Sequence, residues 1–293
     1  MLMENYETLK VENVELLKRK TVYFFLKQQG FSEHYIKSLR TSKDAVILND
    51  YPVGMRHTIE NGDTLKINKN PKQPNFTDEC DGDLDILFEN DDYLVINKPH
   101  NLACIPTRSH FSHNLGGMIM KYMHSTNPSF VLRIINRLDK ETAGIIIVAK
   151  NVQAYNRIGK VDKTYYALCE GKIEKPYTID KNIKTETENG INKPKRIVSE
   201  DGKRAITNVF PEKYFKDYSL VSLKLETGRT HQIRVHLSSE NHPLLGDTLY
   251  STNNISNHAF LLLKEVSFND YKTGKTLHFS CNYPQDWTKY LEK

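Results

Sequence analysis

Residues 135–150 read INRLDKETAGIIIVAK. A polar loop gives way within a few residues to an unbroken apolar run, Ile145 to Ala149. A short β-branched run of this kind predicts a strand buried on both faces. Upstream, Ile86 to Phe88 and Tyr93 to Asn97 flank Asn90-Asp91-Asp92, a hairpin signal. Downstream, Tyr165 to Glu170 and Leu220 to Glu226 alternate as half-buried strands do, and residues 260–263, 266–268 and 277–283 add more strand pattern. Helical pieces are fewer: residues 117–123, 152–159 and 231–239. Strands with helices at intervals, in no strict βαβ order, predict an α+β fold over residues 83–293 with a mixed, mostly antiparallel sheet.

Residues 1–69 form a different unit. Two short helical patterns over residues 22–40 are separated by Gly30-Phe31-Ser32, with Ser32 as N-cap and Tyr35, Ile36 and Leu39 on one face. Ala45 to Leu48 reads as a strand running into an Asn49-Asp50 turn, and residues 62–67 as a turn into a last strand. Together they predict a small α+β module. The next segment, 70–82, has two prolines in its first half, then acidic chain, and reads as a linker.

The whole chain, 293 residues and 34.0 kDa, is long enough to bury a core without disulfide staples. A hydrophobic share of 38% and a charged share of 26% exclude wholesale disorder. The longest apolar runs are too short to span a bilayer, and MLMENYETLK has no signal-peptide pattern. Cys80, Cys104, Cys169 and Cys281 make no CxxC pair, which suits reduced thiols in a cytoplasmic protein. Charge is unevenly spread. Residues 121–234 hold 22 Lys and Arg against 13 Asp and Glu, a net of +9, and the remainder of the chain nets −4. A basic middle section suits a polyanion, although a solvated lysine-rich surface has the same composition.

Three segments carry candidate chemistry. In the first, Arg137 and Asp139 stand two apart in the loop before the buried run, where a carboxylate can be held at a sheet edge and still meet solvent. Read alone, Arg-x-Asp is equally a loop salt bridge. The second, residues 225–237, is LETGRTHQIRVHL. A strand ends near Gly228, Thr230 can cap a helix, and Ile233 and Leu237 pack inward. Arg229 and Arg234 flank that helix start, where a fixed guanidinium favours the charged form of a nearby acid. The third places Tyr165 and Tyr166 on opposite faces of a strand, one in the core and the other free to meet a planar ligand. His231 and His236 are five apart and do not share a helical face as metal ligands, so hydrogen-bonding roles are expected and no metal.

In order, these motifs resemble the RluA-type pseudouridine synthases: Arg-Leu-Asp-x-x-Thr-x-Gly, then Lys-x-Tyr-x-Ala, then Thr-Gly-Arg-x-His-Gln-Ile-Arg-Val-His-Leu. Residues 95–99 (VINKP) and 242–250 (HPLLGDTLY) extend the match, and residues 1–69 resemble an S4 RNA-binding domain. The chain departs from the family pattern at Asn136, where His is usual, at Ala143, where Ser is usual, and at Ile145, where Leu is usual. The resemblance implies isomerisation of uridine within RNA, with no cofactor. Asp139 is the essential carboxylate, Arg229 its partner, with Arg234 the second choice for that place, and Tyr165 stacks on the base. Arg137 would fill the space left by a flipped uridine. Asn136, Arg234, Lys37, Arg40 and Lys43 are further RNA contacts, and the RNA is ribosomal in preference to transfer RNA. A monomer is the default. Two other readings fit parts of the pattern: a non-catalytic RNA-binding or ribosome-assembly factor, and an unrelated hydrolase using Asp139 with a second acid such as Glu141.

Overall fold

The computed structural model describes residues 6–41, 44–69, 78–106, 113–186, 195–253 and 255–292. The N-terminal unit holds β1 (Tyr6–Lys10), α1 (Val22–Gln28), α2 (Glu33–Ser38), β2 (Val46–Leu48), β3 (Tyr51–Pro52) and β4 (Thr64–Asn68). Its antiparallel sheet runs β1-β4-β2-β3. Ser32 caps α2 as expected, its hydroxyl accepting from the Tyr35 amide at 3.2 Å, and Tyr35, Ile36 and Leu39 are buried. Asn49 and Asp50 both take positive φ, 48° and 70°, the conformation a two-residue hairpin turn needs. Strand β1 had no expectation behind it. It is polar and lies at a sheet edge, where alternation is weak, and it exists through its pairing with β4.

The larger unit contains β5 (Ile86–Glu89), β6 (Tyr93–Lys98), α3 (Leu115–His124), β7 (Ala143–Ala149), α4 (Val152–Arg157) and β8 (Asp162–Glu170). It continues with β9 (Tyr177–Asp180), β10 (Ile183–Thr185), β11 (Arg196–Val198), β12 (Ile206–Phe215) and β13 (Tyr218–Leu225). It closes with α5 (Gln232–Ser239), β14 (Leu261–Asn269), β15 (Thr276–Ser280) and α6 (Thr288–Leu291). Nine of the strands make one sheet, ordered β5-β6-β7-β14-β8-β13-β12-β9, with β15 also on β14. Every pairing in it is antiparallel except β7 with β14. The mixed, mostly antiparallel α+β expectation is the architecture observed.

Every residue of β7 is buried, as its apolar run demands. Its parallel contact with β14 pairs Ala143 with Leu262 and Gly144 with Leu263; at Gly144 φ is +119° and an added Cβ would lie 2.3 Å from the Leu263 carbonyl oxygen. Only glycine fits there. The strand pattern of residues 260–263 and 266–268 falls in one strand, β14, which starts at Leu261 and shifts register between Leu263 and Glu265. Residues 78–82, read above as the end of a linker, sit against α3: the Cys80 amide donates to the Gly117 carbonyl at 3.2 Å.

The two units touch. Val152 of α4 belongs to the small unit's core, and Arg157 lies 3.8 Å from Glu7. A cavity of about 230 Å³ opens between them, bordered by Ser32 and Tyr35 on one side and by Arg133, Arg137 and Tyr155 on the other. Among the described residues, no helix is long and apolar enough to cross a membrane.

Candidate active site

A cleft of about 1230 Å³ lies where the loop before β7, the start of β8 and the start of α5 converge. Asp139, Arg137, Tyr165, Arg229, His231 and Arg234 all line it, so the three motifs meet in space. Asp139 is half-buried and Arg137 exposed.

The Asp139 loop is pinned from both sides. Asn136 is buried; its Nδ2 donates to the Ile145 carbonyl at 2.8 Å, and its Oδ1 accepts from the Ile147 amide at 2.9 Å. On the other side the Cys104 thiol donates to the Leu138 carbonyl at 3.2 Å. Asn136 therefore spends its amide on β7, and the RNA contact expected of it is replaced by a bracing role. Below the loop, Lys98 is fully buried and donates to the carbonyls of Pro99 (2.9 Å), Leu102 (2.9 Å) and Lys140 (3.2 Å). Burial lowers its pKa to about 8, against the upward pull of Cys104 and Asp139.

Arg234 is the cation built into the floor. Its Nε and one terminal nitrogen grip Asp247 at 2.7 and 2.6 Å, and it lies 2.8 Å from Glu141. Its guanidinium sits 5.2 Å from the centre of the Tyr250 ring. Burial opposes the charge, but the bonds to Asp247 and the fields of Asp247, Glu141 and Asp139 outweigh it and raise its pKa. Glu141 is thus committed to Arg234, and the second acid that a hydrolase needs is already used.

Arg229 behaves otherwise. It is exposed, and its Nε donates to the Arg204 carbonyl at 3.1 Å. Among the described residues no ion pair joins it to Asp139. The pairing expected for Arg229 is thus not seen among the described residues, and Asp139 instead helps to hold the charge on Arg234. The reason lies in the turn. Gln232 folds back so that its Oε1 accepts from the Arg229 amide (2.9 Å) and the Thr227 hydroxyl (2.9 Å), while its Nε2 donates to Ile206 and Thr207. That places Arg229 at the rim and the inward face of α5, with Arg234, toward the loop. The N-cap is His231, with φ 57°, rather than Thr230.

Tyr165 is 9% exposed, and burial, then the charge of Asp139, raise its pKa, so the phenol stays neutral. His236 bonds the Thr207 hydroxyl and the Lys181 carbonyl, the hydrogen-bonding role expected. Lys37 and Arg40 are exposed on the small unit and do not line the cleft; Lys43 lies outside the described residues. Sequence reasoning missed Asp247, Lys98, Gln232 and Tyr250 as parts of the site. Lys98, Asp247 and Tyr250 stand in stretches quoted above, VINKP and HPLLGDTLY, and for the first two a lone charge beside apolar chain was the available signal.

The family model for RNA pseudouridylate synthases matches residues 92–239. The RNA pseudouridine synthase YjbO of Bacillus subtilis is 31% identical over 281 residues, covering 93% of this chain and 98% of its own. The chain belongs to the RNA pseudouridylate synthase family. As an RNA pseudouridine synthase it also resembles ribosomal large subunit pseudouridine synthase D of Neisseria meningitidis, 29% identical over 270 residues, covering 85% of this chain and 71% of that one. Among solved structures, human RNA pseudouridylate synthase domain containing 1 superposes with a TM-score of 0.57 at 25% identity, over 71% of this chain and 86% of that one.

Proposed function

We propose that this pseudouridine synthase isomerises a uridine of large-subunit ribosomal RNA, with Asp139 as the essential carboxylate. The observation that carries the reading is the Asp139 loop itself. It is braced by Asn136 and Cys104, backed by buried Lys98 and Arg234, and open to a cleft of about 1230 Å³. The ribosomal substrate is suggested by the names of relatives such as the Neisseria enzyme.

In this reading the N1–C1′ bond breaks, the base turns, and C5 joins C1′. Asp139 attacks C1′ or removes the C2′ proton; both routes need a carboxylate beside the ribose. Arg234 supplies the fixed positive charge, and Arg229, at the rim, meets a phosphate. The Tyr165 ring stacks on the base and keeps it close, so recapture is intramolecular. Arg137 enters the space the uridine vacates, in a flip that costs a few kcal/mol in a helix and less in a loop. The N-terminal unit, in an S4-like role, adds RNA contacts through Lys37, Arg40 and Lys43, and the chain acts as a cytoplasmic monomer.

Tritium release from C5-labelled ribosomal RNA tests the reading. Asp139→Asn should lose ~10²–10⁴-fold or more of the rate while keeping RNA binding and its melting temperature. Full activity in that variant overturns the role of Asp139.

A further inference from the structure

Among the described residues, His231 is the one cleft residue with a backbone that non-glycine residues rarely adopt. Its φ of 57° and ψ of 18° lie in the left-handed region. Such outliers persist only where the surroundings hold them, and they concentrate at working sites. Here the imidazole is held as well as the backbone. Nδ1 lies 3.0 Å from the Tyr250 hydroxyl, and the Tyr250 ring meets it edge-on with centroids 5.8 Å apart.

The bond has a direction. The Tyr250 oxygen already accepts the Arg196 amide hydrogen at 3.0 Å. A phenol has one proton to give, and in this half-buried place its acceptor is His231 Nδ1. In the neutral ring Nδ1 is then the lone-pair nitrogen and Nε2 carries the hydrogen. Nε2 has no partner among the described residues, and its residue lines the cleft. Burial lowers the His231 pKa, with Asp139 pulling the other way, so the ring is neutral at physiological pH and lies within the field of the catalytic carboxylate. Among the described residues no ion pair ties it to Asp139.

We propose that His231 donates its Nε2 hydrogen to a carbonyl oxygen of the target uracil and so holds the negative charge of the detached base. When N1–C1′ breaks, the bonding pair stays with N1 and spreads onto O2 and O4. A preset donor aimed at one of those oxygens stabilises that charge without reorganising. The base then turns, C5 bonds to C1′, the C5 proton leaves and N1 takes up a proton, so no atom is gained or lost. Nε2 serves as donor in this scheme and not as base, because the tautomer set by Tyr250 already fills it. The inference rests on the uridine-isomerising reading of the cleft.

The test compares the full chain with His231→Gln, which keeps a donor, and His231→Phe, which does not. Each is assayed in single turnover with enzyme in excess, on a large-subunit ribosomal RNA transcript and on the same transcript made with 5-fluorouridine. Loss of the N-glycoside is read after nuclease digestion. Fluorine makes the departing base a more stable anion, so it needs the donor less. His231→Phe should slow the uridine transcript by ~10²-fold or more and the fluorinated one by at least about tenfold less than that. His231→Gln should fall between wild type and His231→Phe. Equal losses on both transcripts, a loss confined to RNA binding, or a wild-type rate in His231→Phe each overturn the role of His231. A wild-type protein that leaves both transcripts unchanged overturns the ribosomal-substrate reading beneath it, which is a different outcome.

Discussion

Arg234 and its carboxylates show how much a single buried charge depends on company. Asp247 is 1% exposed and holds two of the guanidinium's nitrogens. Asp247→Asn leaves a buried cation short of a partner, at about 3–5 kcal/mol. We expect a clear drop in melting temperature and a loss of turnover, whereas Arg229→Ala, at the rim, should weaken RNA binding and leave the melting temperature in place. Thermal denaturation alongside single-turnover assays separates the two. His100 gives a pH prediction. Its Nδ1 bonds the Glu141 carbonyl at 2.9 Å, and burial lowers its pKa from 6.5 to about 4. The unfolded chain takes up this proton as pH falls through 6.5, and the fold refuses it until about 4. Stability from this residue is therefore full above pH 6.5 and is lost progressively down to about 4, by about 3 kcal/mol in all. Denaturant titrations of His100→Gln should show a flatter dependence across that window. Asp139 stood out only once its loop was read together with the motifs around Tyr165 and Arg229, because alone the pair with Arg137 has an ordinary explanation as a loop salt bridge. The choice between Arg229 and Arg234 was not legible, because it turns on the direction in which Gln232 folds the chain back.

At the scale of elements, β7 and its loop were readable and the periphery was not. An all-apolar run ending in a polar turn leaves little choice of structure, and the structure has it buried throughout. Strands β9, β10 and β11 are three or four residues long, and β1 is polar. Such strands exist because a neighbour offers hydrogen bonds, which no local pattern records. The loop is braced by an element it precedes, so its integrity is testable apart from its chemistry. Asn136→Ala strands two backbone groups of β7 at about 1–3 kcal/mol for each left unsatisfied. We expect lower stability and slower turnover together, read by denaturation and single-turnover rate. Gly144→Ala drives a Cβ against Leu263 at a positive φ. Crowding alone costs about 1–3 kcal/mol, and the expected measurement is a lowered melting temperature with reduced soluble yield.

For the molecule as a whole, Arg137 borders both the cleft and the cavity between the two units. That position suits a residue that works on RNA passing from one to the other. Arg137→Ala should slow modification of a folded RNA far more than that of an unpaired oligonucleotide carrying the same uridine, and equal losses on both would contradict a flipping role. The fold class followed from strand count and order, but the arrangement of the sheet did not, since the pairing of distant strands leaves no trace in local alternation. One consequence of that arrangement concerns biosynthesis. The aspartate loop belongs to β5-β6-β7, while Tyr165 and α5 belong with β8-β13-β12-β9; β14, residues 261–269, is the strand that joins these halves. Translation proceeds from the N-terminus, so the joining piece is made after everything it joins. A chain stalled on the ribosome before Leu261 carries every named side chain of the site and lacks the strand whose hydrogen bonds join its two halves.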